Sequence, residues 1–223
     1  MKRREFNALA CAAGAAGLAG VSGNALAQAE LTEGRNYRRV NPPLPPAAPG
    51  KIEVVEFFWY GCPHCYVFEP AVEAWAQRLP ADVSFRKVHV AFRENVKVHQ
   101  RLFYTLEAMG KEAETRPAIF NAIHRGGNML DNPKGMAEFL SKLGVDPAKF
   151  TETYNSFGVN TKCLQAAKLQ DAYGIDGVPA IGVAGRFLTS PSMAAAGQRM
   201  SEQELGARAL AVTDALIRNA RGR

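Results

Sequence analysis

Cysteine and histidine are both scarce in this chain, whose 223 residues hold only four of each. A fold that depends on structural disulfides normally has a larger, even set of cysteines, and a zinc site needs further paired ligands. This chain has one C-x-x-C pair, Cys62 and Cys65. Its other two cysteines, Cys11 and Cys163, are isolated in the sequence. The scarcity therefore excludes a disulfide framework and favours a redox pair over a metal site.

The chain also lacks any long block of one charge. Its formal net charge is +6, but the lysines and arginines are scattered among acids. That pattern indicates a solvated surface and argues against a nucleic-acid site. After the first segment, no apolar run is long enough to span a membrane, so we expect a soluble mature protein.

The first 27 residues are typical of an export signal. Lys2, Arg3 and Arg4 form a positive start, an apolar stretch follows, and Ala25-Leu26-Ala27 fits a small-x-small cleavage site. We expect cleavage near Ala27 and a periplasmic location. The Arg3-Arg4 pair also fits a twin-arginine signal, so the Sec and twin-arginine routes both stay open.

The next part of the chain predicts a strand–helix–strand unit. Five prolines between Asn41 and Gly50 predict an extended connector, preceded by a short edge strand within Tyr37–Val40. The continuously apolar Ile52–Tyr60 predicts a strand buried on both faces. A helix should begin at about Pro63, with an apolar face at Val67, Ala71, Ala74 and Trp75. The alternating Val83–Phe92 predicts a second strand.

The rest of the chain predicts a helical block followed by a hairpin and a helix. Helical patterns and breaks fill 95–174, and strand signals return at Val178–Val183 and Arg186–Thr189 around Ala184-Gly185. Ser201 and Glu204 form a capping box for the last helix. We therefore expect an α/β protein in which 28–94 and 175–223 share one sheet, with an all-helical insertion domain over 95–174.

Thiol–disulfide exchange needs two close sulfurs, one of them a stable thiolate. The C-x-x-C spacing meets the first need at a strand-to-helix turn. The positive end of the helix dipole and its free N–H groups meet the second, because Cys62 lies at the helix start. Pro63 stiffens the turn, and His64 adds a donor. We expect Cys62 to be the exposed, attacked sulfur and Cys65 its less exposed partner.

The residues Glu56-Phe57-Phe58, Cys62-Pro63-His64-Cys65 and Gly177-Val178-Pro179-Ala180 resemble the DsbA family of periplasmic thiol–disulfide oxidases. The resemblance runs from about Lys51 to the last helix. It implies a thioredoxin fold, a central mixed β-sheet flanked by helices, with an inserted helical domain. It also implies disulfide donation to reduced exported polypeptides, re-oxidation by a DsbB-like membrane quinone reductase, and no cofactor.

The same resemblance implies roles for further residues. Val178-Pro179 matches the cis-proline loop that faces the disulfide, and Val178 would contact the substrate backbone. Glu56, six residues before Cys62, matches a buried acid that handles protons for Cys65. Glu69 and Lys87 match charged residues near it, although surface charge is an equal reading for both. An unpaired acid inside an apolar strand is costly, which favours a role for Glu56.

Several alternatives stay open at this point. The same chemistry could serve an isomerase or a reductase, although the chain has no room before Lys51 for the dimerisation domain of an isomerase, and we expect a monomer. A metal-binding or chaperone-like module would use the cysteines as ligands. We expect Cys163 to be a small buried residue. We expect His89, His99 and His124 to be structural or surface residues. Tyr60 fits either the core or a substrate groove.

Overall fold

A computed structural model gives the structure of the protein for residues 31–46 and 50–222. The expected signal peptide 1–27 and its cleavage near Ala27 lie outside the described residues. None of the helices in these two ranges combines the length and the hydropathy that crossing a membrane requires.

The described chain forms five strands and eight α-helices. The strands are β1 (Arg38–Arg39), β2 (Ile52–Phe58), β3 (Val83–His89), β4 (Ala180–Val183) and β5 (Phe187–Thr189). The helices are α1 (Pro63–Ala76), α2 (Lys97–Ala108), α3 (Glu112–His124), α4 (Pro133–Ser141), α5 (Pro147–Tyr154), α6 (Phe157–Tyr173), α7 (Pro191–Ala195) and α8 (Glu202–Arg221). A short 3-10 helix, Glu94–Val96, precedes α2. The sequence patterns predict every strand, but α7 carries no signal that we recognised.

The strands form one mixed sheet in the order β1-β5-β4-β2-β3. β2 runs parallel to β3 and antiparallel to β4, and β5 runs antiparallel to both β4 and β1. The predicted sharing of one sheet by the two ends of the chain is confirmed, because β2 and β3 come from the first part and β4 and β5 from the second. The flanking helices complete the expected thioredoxin fold.

Two hydrophobic clusters cover the opposite faces of this sheet. Val54 of β2 packs with α1 and α8, whereas Val55 and Phe57 pack with the helices of the middle segment. From Val54 to Phe57 this division follows the two-residue period of a strand, whereas Phe58, at the end of β2, joins the same cluster as Phe57. Five consecutive residues of β2, Val54–Phe58, are buried, which confirms a strand covered on both faces.

Five α-helices, α2 to α6, occupy the chain between β3 and β4. Leu102 and Phe103 of α2 belong to the same cluster as Phe57 and Phe58 of β2, so the helical segment packs directly on the sheet. The separate domain boundaries at 28–94, 95–174 and 175–223 stay a prediction.

Local sequence signals explain where several elements begin and end. Ala184 and Gly185 both have positive φ, 54° and 65°, as the two central residues of a tight turn that the Arg186 N–H closes by donating to the Val183 carbonyl at 3.0 Å. Ser201 and Glu204 make both hydrogen bonds of the capping box at the start of α8.

The apolar face that the sequence pattern predicts for α1 is right for Trp75 and wrong for the two alanines. Ala71 and Ala74 are exposed, and the helix buries Phe68 and Val72 together with Trp75. These three residues also recur at helical spacing, and α1 turns them toward α8 and the sheet. The larger side chains lie inside because they remove more apolar surface from water.

Candidate active site

Cys62 is the N-cap residue of α1, one turn after the end of β2. Its backbone is extended (φ −86°, ψ 117°), and its Sγ accepts a hydrogen bond from the backbone N–H of Cys65 at 3.4 Å. Pro63 occupies the first helical position, where its missing N–H removes no helical bond. The first-turn N–H groups and the helix dipole therefore point at the sulfur of Cys62.

The two thiols differ strongly in their affinity for a proton. The Cys65 thiol, as a hydrogen-bond donor, and the first-turn N–H groups lower the pKa of Cys62 to about 6, against the opposing effect of burial. Burial, followed by the hydrogen bond and charge of Cys62, raises the pKa of Cys65 well above its usual value. Cys62 therefore ionises first, and Cys65 keeps its proton.

The exposure of the pair departs from expectation in one respect. Cys62 is only 5% exposed, and Cys65 is 1% exposed. Cys62 is thus the more accessible sulfur but is not an exposed one, because the loop before β4 lies against it. Its thiol donates a hydrogen bond to the carbonyl of Val178 at 3.4 Å.

The loop that covers Cys62 contains the Val178–Pro179 peptide bond, which is cis. A cavity of about 560 Å³ opens beside this loop. Its lining includes Val178 and Pro179 of this loop together with His64, Phe68 and Leu205. The cysteine turn and the proline loop, 116 residues apart in the chain, therefore meet at the edge of an apolar groove.

His64 is exposed to solvent, unlike the two cysteines of the motif. Its side chain is 64% exposed, and its Nδ1 donates to the Glu202 carboxylate at 2.8 Å. Glu202 lies in the first turn of α8, and nothing in the local sequence indicates this contact. The pairing places a negative side chain beside the imidazole that neighbours Cys62.

Beneath the cysteines lies a cluster of buried ionisable side chains, which we call the buried charge cluster: Glu56, Glu69, Lys87, Glu112 and Arg116. Lys87 Nζ contacts Glu56 Oε2 at 2.5 Å and Glu69 Oε2 at 2.9 Å. Glu56 and Lys87 are direct neighbours in the β2–β3 register. The structure thus brings together Glu56, Glu69 and Lys87, and it buries Glu69 and Lys87 rather than leaving them on the surface.

Glu56 is the most strongly buried acid of the cluster. It has no exposed surface, and its Oε1 has no hydrogen-bond partner in the described part of the chain. Burial raises the pKa of Glu56 to about 7, although the charge of Lys87 acts in the opposite direction. A carboxyl group with this pKa takes up and releases a proton near neutrality. Its charge also helps to raise the pKa of Cys65.

Arg116 of α3 extends the cluster into the helical segment. Its guanidinium contacts Glu69 at 2.8 Å and Glu112 at 2.5 Å, and Glu112 Oε1 accepts a hydrogen bond from the Tyr60 hydroxyl at 2.8 Å. Sequence reasoning missed Arg116 and Glu112. Their i,i+4 spacing indicates an ion pair within α3, but it does not reveal the contact of Arg116 with α1.

The three histidines outside the motif all lie near the active-site turn and make structural hydrogen bonds. Tyr60 is fully buried. The prediction that it belongs to the core is confirmed, and the prediction that it lines a substrate groove is wrong. Cys163 lies half-buried on α6, and burial raises its pKa. Among residues 31–46 and 50–222, no group of histidine, cysteine and acidic side chains is arranged to hold a metal ion.

Comparison with known proteins shows one consistent relationship. Residues 53–204 match the family described as the DSBA-like thioredoxin domain. The thiol:disulfide interchange protein DsbA of Burkholderia cepacia is 46% identical over 80% of this chain and 82% of that protein. That of Azotobacter vinelandii is 49% identical over 75% of this chain and 78% of that protein. The crystal structure of Pseudomonas aeruginosa DsbA superposes with a TM-score of 0.79 and 42% identity, covering 86% of this chain and 95% of that one.

Proposed function

This chain belongs to the DSBA-like thioredoxin domain family and is a thiol–disulfide oxidoreductase, and from that premise we propose that Cys62 and Cys65 form the disulfide that it donates to reduced, exported polypeptides. The observation that carries the proposal is the place of Cys62 at the N-cap of α1, where its Sγ accepts the backbone N–H of Cys65 at 3.4 Å. This geometry lowers the pKa of Cys62 to about 6, whereas burial raises that of Cys65. A stabilised Cys62 thiolate stabilises the reduced form, so the oxidised form gives its disulfide away readily.

The reaction begins with the disulfide form of the protein. A substrate thiolate attacks Sγ of Cys62, the Cys62–Cys65 bond breaks, and Cys65 leaves as a thiolate that takes up a proton. A second substrate thiolate then attacks the substrate sulfur of the mixed disulfide, and Cys62 leaves as a thiolate. The substrate loses two electrons to form its disulfide, and the protein gains them as the Cys62–Cys65 dithiol.

Glu56 handles the proton of Cys65 in this proposal. Its pKa of about 7 lets it hold a proton in one redox state and release it in the other. Lys87 and Glu69 support this role, because Lys87 binds one oxygen of each carboxylate. Pro63 and His64 act on Cys62 itself. Pro63 fixes the start of α1, and the backbone N–H of His64 helps to lower the pKa of Cys62.

Val178 and Pro179 bind the extended substrate backbone next to Cys62. The contact of the Cys62 thiol with the Val178 carbonyl supports this role, since it places that loop at the reacting sulfur. The cavity beside the loop offers apolar surface for substrate side chains.

Family membership and the expected signal support a proposal for the compartment and the partners. We propose that the protein acts in the periplasm as a monomer after cleavage near Ala27. A DsbB-like membrane quinone reductase accepts the two electrons and restores the disulfide. Sedimentation of the mature protein tests the monomer, and a dimer would favour the isomerase reading.

Cysteine variants test the proposed roles directly. Cys62→Ser should abolish oxidative refolding of a reduced substrate, and Cys65→Ser should accumulate a mixed disulfide through Cys62. Cys163→Ser is the matched control, because Cys163 lies on α6, outside the site, and its loss should leave the rate unchanged. Normal refolding by Cys62→Ser would overturn the proposal, and a strongly reducing equilibrium with glutathione would favour a reductase.

A further inference from the structure

Three of the four histidines surround the dipeptide Trp59-Tyr60, which leads from β2 into the cysteine turn. His89 comes from the end of β3, His99 from α2 and His124 from the end of α3. Each makes a hydrogen bond to a different group of the dipeptide. We call these three residues the histidine cage.

His89 holds the backbone N–H of Tyr60. Its Nε2 accepts that hydrogen bond at 3.2 Å, and its Nδ1 lies 2.9 Å from the carbonyl of Val90. A nitrogen that accepts from an N–H carries no proton, so the proton must be on Nδ1, which donates to the carbonyl. His89 is therefore neutral, and its burial lowers its pKa well below the usual value.

His99 holds the indole of Trp59. Its Nδ1 accepts from Trp59 Nε1–H at 3.0 Å, and its Nε2 donates to the carbonyl of Met129 at 2.7 Å. His99 is thus neutral as the opposite tautomer, with its pKa lowered by burial. The indole lies over Gly61, where a Cβ would overlap its ring atoms. The hydrogen bond from Trp59 to His99 therefore holds the indole against Gly61, the residue that directly precedes Cys62.

His124 holds the backbone carbonyl of Tyr60. Its Nε2 lies 2.8 Å from that oxygen and donates the hydrogen bond. The ring is fixed by stacking on Tyr66, with centroids 4.8 Å apart and an interplanar angle of 12°. The Trp59 carbonyl accepts from the backbone N–H of Cys62 at 3.0 Å. Together these contacts fix the backbone immediately before the helix start.

We propose that His89, His99 and His124 are positioning residues for the cysteine pair, holding Trp59-Tyr60 so that the first-turn N–H groups of α1 stay aimed at Cys62 Sγ. The inference rests on the proposed function, because it concerns the same thiolate. It also gives α2 and α3 a part in the chemistry, since they supply His99 and His124. A shift of the turn by a fraction of an ångström would misalign donors that stabilise charge.

The tautomers provide the first test, on the reduced wild-type protein. Long-range proton–nitrogen NMR spectra should show His89 protonated on Nδ1 only and His99 on Nε2 only, both persisting as the pH falls below the ordinary histidine pKa of about 6.5. The rings of His89 and His99 face each other. His89 also faces Phe58, Tyr60 and Phe103, and His99 faces Trp59 and the charge of Asp131. Either ring observed as an imidazolium at neutral pH would overturn the cage.

The second test measures what the cage does to Cys62. His99→Phe keeps a ring but removes both hydrogen bonds, whereas His99→Asn keeps an acceptor near the position of Nδ1. We expect His99→Phe to raise the pKa of Cys62 and to shift the glutathione equilibrium toward the protein disulfide by about twofold to tenfold, the size of one lost hydrogen bond. His99→Asn should recover most of that shift. Trp59→Phe combined with His99→Phe should add little, because both remove the same contact.

A control separates positioning from a loss of stability. Phe150→Leu changes a fully buried residue of α5 within the same helical segment, away from the turn. It should lower the stability but leave the Cys62 titration and the glutathione equilibrium unchanged. If His99→Phe shifts the equilibrium by less than about twofold, or no more than Phe150→Leu does, the cage has no positioning role. An unreactive Cys62 in the wild type would instead refute the proposed function.

Discussion

Replacing Glu56 by Gln should stabilise the reduced protein increasingly as the pH rises from about 4.5 to about 7. In the folded protein the pKa of Glu56 is raised from 4.5 to about 7, chiefly by burial. The folded state therefore binds more protons than the unfolded state across this window, and wild-type stability falls as the pH rises through it. A Gln side chain does not ionise, so the variant avoids this loss.

The size of the effect follows from the shift. A displacement from 4.5 to about 7, at 1.4 kcal/mol per pKa unit, corresponds to roughly 3 kcal/mol. Below about pH 4.5 the free-energy difference between variant and wild type should be constant. It should grow by roughly this amount and level off above about pH 7. Glu56 is fully buried, so solvent does not screen the effect.

Urea unfolding of both proteins, measured under reducing conditions at a series of pH values, checks this prediction. Glu73→Gln is the matched control, because Glu73 contacts the same Lys87 and Arg116 but is half-buried. Although burial raises its pKa, the two cations lower it overall. Wild-type Glu73 thus contributes stability above about pH 4.5 that is lost in acid, and its difference curve should slope the opposite way. A flat curve for Glu56→Gln would refute the reasoning.

Three further outcomes are expected. Near neutral pH the reduced protein should be alkylated fastest at Cys62 and far more slowly at Cys163, because burial raises the pKa of Cys163. Mass spectrometry measures the two rates, and equal rates would contradict the pKa order. Gly61→Ala should lower the free energy of unfolding by about 1–3 kcal/mol, because the new Cβ overlaps the Trp59 ring; an unchanged urea midpoint would show that the ring moves aside. Ser201→Ala should lower stability by about 1 kcal/mol through loss of the α8 cap, and thermal unfolding measures it.

The buried charge cluster explains why the helix that carries Cys65 cannot be considered alone. Arg116 joins Glu69 of α1 to Glu112 of α3, and removing either partner leaves an uncompensated buried charge. Lys87 joins the same helix to β2 and β3 through Glu69 and Glu56. The active-site helix is therefore held by ionic contacts on the sheet and on the helical segment.

The features predicted correctly from the sequence are those set by neighbouring residues. The apolar run before Gly61 forms β2, and Cys62 with Pro63 starts α1. The Ala184-Gly185 turn closes its hairpin as expected. Strand periodicity, caps and turn preferences act over a few residues, so the amino-acid pattern alone determines them. The placement of a cysteine at a helix start is a feature of this kind.

Tertiary structure alone decided which side chains meet around that cysteine. It turned Val72 rather than Ala71 inward on α1, brought the Val178 carbonyl to Cys62, and gathered His99 and Arg116 from the helical segment. These partners lie between 40 and 116 residues from the groups they contact. Their meeting depends on how the strands are ordered and how α2 and α3 pack on the sheet, and no local pattern of residues encodes that path.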